Sequence, residues 1–549
     1  MHLDILLPLL LGALVVTAIA RKRGWPAPLL VTGVAIAVSF IPALPAVEIN
    51  SSVILTVVLP PLLYSAALDI SIQDFRTSLR QIRRLGIGLV IVTALVVGGL
   101  ANILLGDISL AAALLLGAIV APPDAVSATA IGKKLGLPRR VMSVLSGESL
   151  INDAAALTMF TLFLNAVTLG TAISVGDGVV MLLVAIGVGV GVGLLIGVAI
   201  QLLRKRVQDP LMETVFGLLV PFSAYLVAEH FHGSGVLAVV AAGLYLGFNA
   251  PKASYAMRLQ EQPIWASLDV ILEAFVFALI GLQFKSVLID SVHSPHGLWP
   301  SLGFAGIILV VTILIRPAYV FASYYLGQLP LFAARRRRQK HPEPTLSWQD
   351  LTVISWTGMR GVVTLAAAVA ATSAAVEPKD LIMLTAFVVT IGTLLIQGLT
   401  LPWVITKLEV TDPDQEDRDR AAEKALMKRT YEVAMTEMAP LWQKLTDRLG
   451  PDRAEQIKKR VIGSSMARMA VSSSANDDAE AIAADRASRR EMATYLTEAR
   501  RQLNELRRTV LLDEREQGNL DDEVMRTVLL ELDTEQFALD TSWQSRMRS

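Results

Sequence analysis

Ser149 and Asp153 stand four residues apart in Gly147-Glu-Ser-Leu-Ile-Asn-Asp-Ala154, as do Glu148 and Asn152, inside an otherwise apolar stretch. Residues four apart share a helix face, so two carboxylates, a hydroxyl and an amide converge there. The surrounding stretch, residues 141–168, is long enough to cross a hydrocarbon core of about 30 Å at about 1.5 Å per residue. Carboxylates at that depth are costly unless paired, hydrated or protonated, and they mark ion or proton paths. A carboxyl group taken out of water keeps its proton to higher pH, and a second acid nearby adds to this. A cation then competes with H⁺ for the same oxygens. Asp153 is the acid expected to hold each in turn, with Asp124, beside Pro122-Pro123, as the second acid. Ser149 and Asn152 offer neutral oxygens, and hard oxygen ligands suit Na⁺, Li⁺ or K⁺.

Arg360 is the one basic residue deep in its span and requires a buried counter-charge. Glu148 is the expected partner, in a structural ion pair outside the transport stoichiometry. Asp269 and Glu273, four apart ahead of Phe275-Val-Phe-Ala-Leu-Ile-Gly-Leu282, are expected to line a cytoplasmic funnel that draws cations inward. Arg316, before Pro317, reads as an interfacial anchor that snorkels to the cytoplasmic side. Asp69 reads as interfacial. The five glycines between Gly187 and Gly197 predict close helix packing and carry no chemistry.

These groups need a membrane scaffold. The chain has 549 residues, is 53% hydrophobic and has no net formal charge; its mean hydropathy of +0.53 is too high for a water-soluble globule. Thirteen apolar segments are expected near 3–20, 27–44, 52–70, 85–105, 109–131, 141–168, 178–202, 211–229, 234–249, 264–284, 299–325, 350–372 and 380–405. Basic residues cluster at every second connection: residues 21–23, Arg76 to Arg84, Lys133 to Arg140, residues 204–206, Lys252 with Arg258, and residues 335–338. The positive-inside rule then puts the N-terminus outside and the C-terminus in the cytoplasm, with the plasma membrane as the expected location. No cleavable leader is expected, since residues 1–20 lack a basic start and run into basic residues.

Two spans are interrupted. The fifth contains Ala121-Pro-Pro-Asp-Ala125 and the twelfth Trp356-Thr-Gly-Met-Arg-Gly361. Proline removes a backbone donor, and unwound backbone survives at membrane depth only where protein or a water-filled cavity satisfies it. An offset of seven spans inverts the second copy, so spans one to six and eight to thirteen are expected to form an inverted repeat. Paired broken helices point to a midplane site. The expected class is an all-α membrane protein of about thirteen helices, residues 1–408, followed by a helical cytosolic tail, residues 409–549, with a regulatory role. Gly450-Pro451, Gly463-Ser-Ser465, Ser472-Ser-Ser474 and Gly518 are expected to punctuate that tail. Its mixed charges carry no nucleic-acid signature. With no cysteine there is no disulfide or thiolate chemistry. The six histidines (2, 230, 232, 293, 296 and 341) lack metal-pair spacing within a span, so neither transition metal nor cofactor is expected.

Leu59-Pro-Pro-Leu-Leu63, Gly147-Glu-Ser-Leu-Ile-Asn-Asp153, Gly233-Ser-Gly-Val-Leu-Ala238, Gly281-Leu-Gln283 and Gly358-Met-Arg-Gly361 together resemble the monovalent cation:proton antiporters. That family includes bacterial sodium/proton antiporters and animal sodium/proton exchangers. The resemblance covers roughly residues 1–405. It implies a thirteen-span inverted-repeat fold, a homodimer in the lipid membrane, and elevator-like movement of a core against a dimer domain. It also implies Asp153 as the ion-binding acid with Asn152 beside it, and Glu148 paired with Arg360. Members with Asn-Asp and Arg at these places exchange one cation for one proton. Two departures stand out. Many members have Thr-Asp-Pro where this chain has Pro122-Pro-Asp124, and many carry an acid where this chain has Ser65.

The sequence therefore predicts an antiporter of H⁺ against Na⁺ or Li⁺, and not an enzyme. Rival readings are the same fold moving K⁺, an intramembrane aspartyl protease using Asp124 and Asp153, and a membrane sensor signalling through its tail. The protease reading lacks a Gly-x-Gly-Asp setting, and the sensor reading leaves the polar spans unexplained.

Overall fold

The computed structural model describes residues 3–42, 54–106, 108–124, 126–170, 175–207, 209–295, 297–326, 346–374, 376–412, 414–469, 486–517 and 520–548. The 335–338 run, His2, His296, His341, Gly518 and residues 472–474 lie outside these. Every described element is helical. The membrane part comprises α1 (Leu3–Arg23), α2 (Ala27–Ser39), α3 (Leu59–Leu68), α4 (Ile72–Arg83), α5 (Val90–Leu105), α6 (Leu110–Val120), α7 (Val126–Lys134), α8 (Arg139–Leu169) and α9 (Val175–Val207). It continues through α10 (Pro210–His230), α11 (Gly235–Asn249), α12 (Tyr255–His293), α13 (Leu298–Leu326), α14 (Trp348–Trp356), α15 (Val362–Ser373), α16 (Lys379–Thr393) and α17 (Leu399–Lys407). Wider π turns lead into α3, join α4 to α5, and join α16 to α17.

Among the described residues, eight helices are long and apolar enough to cross a membrane. Ala27–Ser39, Ile54–Leu68, Leu110–Val120 and Val362–Ser373 are shorter apolar helices. The last two are halves of the interrupted spans. α6 stops where Pro122-Pro123 follows, because proline at those places would clash with the preceding turn. The second interruption covers residues 357–361, between α14 and α15. α14 is started by a capping box in which Ser347 and Asp350 satisfy each other's backbone N–H groups, so its register is fixed ahead of the break.

Packing follows side-chain size. Of the five glycines between 187 and 197, Gly189, Gly193 and Gly197 share a face four residues apart and press against Ser234, Ala238 and Tyr245 of α11's face, whereas Gly187 and Gly191 meet open space. One core cluster joins α5, α6, α8, α13, α15 and α16. A second joins α3, α8, α10 and α11 around Tyr64, Leu150 and Ala238. α8 contributes to both and so lies where they meet.

The chain divides into two compact units, Met1–Ala250 with Glu261–Asp412, and Pro251–Gln260 with Pro413–Ser549. The second unit contains α18 (Gln415–Glu437), α19 (Ala439–Leu449), α20 (Pro451–Met469), α21 (Arg486–Glu516) and α22 (Asp522–Arg548). Gly463, expected to interrupt the tail, lies within α20, where the helix runs through it. α18 to α21 bury Tyr431, Met438, Ile457 and Leu503 together. α12 was expected at 264–284; it is a single helix of 39 residues, about 58 Å long at about 1.5 Å per residue. Its first turns belong to the second unit, where Asp533 binds Arg258 through both oxygens (Nε 2.7 Å, Nη2 2.5 Å) and also accepts from Arg508 (2.7 Å). Burial, and then the charge of Arg258, hold the Arg508 guanidinium below its usual pKa. Both arginines therefore depend on one buried carboxylate. Asp533→Asn is expected to destabilise the second unit by about 3 kcal/mol, the scale for a broken buried pair. Faster hydrogen exchange in α21 and α22 checks it, and unchanged protection there would refute the clamp.

Candidate functional site

α8 carries the polar segment at its middle, and the two breaks cross in front of it. The Asp124 N–H donates to the Met359 carbonyl at 2.6 Å, which joins one break to the other. Asn152 Nδ2 donates to the Pro123 carbonyl at 2.8 Å, which ties α8 to the first break. That carbonyl is available because residues 121–124 lie outside any helix, between α6 and α7. Asn152 Oδ1 is buried and, among the described residues, accepts no hydrogen bond. Next to it, the Asp153 side chain is only 8% exposed, and Asp124 lies within its electrostatic reach. Ser149 is part-buried one turn earlier. An orphan amide oxygen, a buried carboxylate and a second carboxylate within its electrostatic reach thus supply hard oxygens of the kind suited to an alkali cation.

The two breaks have to be bare. A Cβ on Gly361 would overlap the Asp124 carboxylate, and a Cβ on Gly358 would lie 2.7 Å from Arg316 Cδ. Gly361→Ala must therefore displace Asp124. The expected outcome is retained expression with an apparent KM for the cation raised about tenfold, or 1.4 kcal/mol of binding. An unchanged KM would remove Asp124 from the binding set.

The structure corrects the expected ion pair. Glu148 is bound by Arg316 and not by Arg360: its two oxygens accept from Arg316 Nη1 and Nη2, the latter at 2.8 Å. Arg316 also donates to Ile354 O at 2.9 Å and Thr357 Oγ1 at 3.3 Å. With 1% exposure, it is not the interfacial anchor its position beside Pro317 suggested. Arg360 is as deeply buried and takes carbonyls in place of a carboxylate. Its Nε donates to Val120 O at 3.0 Å, Nη2 to Ala121 O at 3.4 Å, and Nη1 to Gly358 O. The last carbonyls of a helix are left without intrahelical partners and carry partial negative charge. The end of α6 therefore does for Arg360 what a carboxylate was expected to do. Arg316 had one legible signal: it falls far from either end of its apolar run.

Asp269 accepts a hydrogen bond from Ser65 Oγ at 2.6 Å. α12 thus brings a carboxylate to the place on α3 that lacks one. Glu273, one turn on, lies within electrostatic reach of both Asp124 and Asp269. Asp69 ends α3 as its C-cap.

The chain is similar to known proteins. An uncharacterised Na⁺/H⁺ exchanger of Mycobacterium tuberculosis (strain ATCC 25618 / H37Rv) is 31% identical over 545 residues, covering 96% of this chain and 95% of that protein. The Na⁺/H⁺ antiporter ApNhaP of Aphanothece halophytica is 32% identical over 365 residues, 66% of each chain. The sodium proton antiporter MjNhaP1 of Methanocaldococcus jannaschii, in its structure at pH 8, shares the fold: the TM-score is 0.57 at 21% identity, over 75% of this chain and 100% of that one. The pattern of the transmembrane sodium/hydrogen exchangers matches residues 9–407. These matches mean that the chain belongs to the sodium/hydrogen exchanger family.

Proposed function

We propose that the protein is an electroneutral secondary antiporter exchanging one Na⁺ or Li⁺ for one H⁺ across the plasma membrane, as a homodimer with its tail in the cytoplasm. The observation that carries this reading is the unsatisfied Asn152 oxygen beside buried Asp153 at the crossing of the breaks. A buried oxygen without a donor is costly, and a cation satisfies it. Asp153 releases its proton, and the cation binds between Asp153, Asp124, Ser149 and the Asn152 oxygen. The loaded core crosses by an elevator movement against the dimer domain, and it returns with H⁺ on Asp153. Arg316 and Arg360 are each held by fixed partners, so neither charge joins the exchange, which supports one proton per cation. Asp269, with Ser65, and Glu273 deliver cations toward Asp124.

The test is cation-driven dequenching of a pH dye in proteoliposomes, with Na⁺, Li⁺, K⁺ and choline, with and without a voltage clamp by valinomycin. Dequenching by Na⁺ or Li⁺ that ignores the clamp is the expected result. Because H⁺ and cation share oxygens, the apparent KM for Na⁺ falls as pH rises. A response confined to K⁺ would reassign the cation, and no response from folded protein would end the transport reading.

A further inference from the structure

α16 runs into α17 through a π turn, Leu394–Gly398, and this segment forms the wall on which the second break rests. Thr393 Oγ1 accepts from the Arg360 backbone N–H at 2.9 Å, and Thr400 Oγ1 accepts from Trp356 Nε1 at 2.8 Å. A Cβ on Gly398 would lie 3.2 Å from Met359 Sδ. Gln397 sits inside this wall at 1% exposure, and among the described residues neither its amide nitrogen nor its oxygen has a hydrogen-bond partner. Thr390 and Gln397 flank Thr393 at helical spacing, three residues before it and four after, so all three share the face turned to the break. The Thr390 hydroxyl is likewise buried without a partner.

An amide orphaned at both ends is costly and selects its ligand. A bare cation would satisfy the oxygen and repel the N–H groups. Water accepts from one end and donates to the other, and buried polar groups are commonly satisfied this way. We propose that Gln397 and Thr390 hold internal water against residues 357–361, and that this water positions the break and, through Met359, Asp124. Gln397 is thus a positioning residue and not a cation ligand.

The chain has no cysteine, so Gln397→Cys gives a single-cysteine protein without further change. In the full-length protein in vesicles, hydroxyl radicals made from internal water by X-ray radiolysis are expected to label Cys at this position, while Ala386→Cys, buried among apolar residues of α16, stays unlabelled. Gln397→Leu removes the orphan amide at similar volume, so its thermal midpoint is expected to stay or rise, while its apparent KM for Na⁺ rises about tenfold. Gln397→Asn, which keeps the amide, is expected to recover most of that shift. The KM arm rests on the exchange proposed above and the labelling arm does not, so the two readings fail separately. An unlabelled Gln397→Cys, or an unchanged KM in the leucine variant, overturns the inference. Should the leucine variant misfold, labelling decides alone.

Discussion

Asp153→Asn is expected to abolish exchange while leaving the protein folded. Asparagine has nearly the volume of aspartate and keeps one oxygen, so α8 retains its packing. It has no titratable proton and no charge, and both halves of the cycle need them. Wild-type and variant protein in proteoliposomes, checked for equal reconstitution, would give full dequenching and none for Na⁺. The variant should be no less stable, because burying an amide costs less than burying an unpaired carboxylate. Exchange at the normal rate in this variant would move the site elsewhere, with Glu273 and Asp269 as the remaining acids to test.

The second large effect is on stability. Arg316→Ala leaves the Glu148 carboxylate buried without its two donors, and removing one partner of a buried pair costs about 3–5 kcal/mol. The expected outcome is a collapse in yield and thermal midpoint in detergent. Glu148→Gln alone strands the guanidinium in the same way. Replacing both, as Glu148→Gln with Arg316→Met, is expected to recover much of the loss, since a neutral pair of similar volume carries no stranded charge. Arg360→Ala should be milder: it strands no carboxylate and returns the α6 carbonyls of Val120 and Ala121 to whatever water reaches the break. If Arg360→Ala proved the more damaging and Arg316→Ala the milder, Glu148 would be paired with Arg360 as the resemblance implied.

Local chemistry made much of this molecule legible before any fold was known. Asp153 and Asn152 declare themselves because a carboxylate and an amide in an apolar run of spanning length are too costly to be idle. Pro122-Pro123 and the glycines at 358 and 361 announce the breaks, since they act on their own backbone. The glycine face of α9 was legible as a packing surface for the same reason, although only the fold shows that Gly189, Gly193 and Gly197 make the contact. Tertiary structure decided what depends on groups far apart in the chain. Glu148 meets an arginine 168 residues away, and Ser65 meets a carboxylate 204 residues away. Residue types cannot rank such partners, because Arg316 and Arg360 are equally cationic. The choice was made by α6, whose terminal carbonyls satisfy Arg360 and leave Glu148 to Arg316. A helix end acts as a counter-charge only once the fold has carried it to the cation.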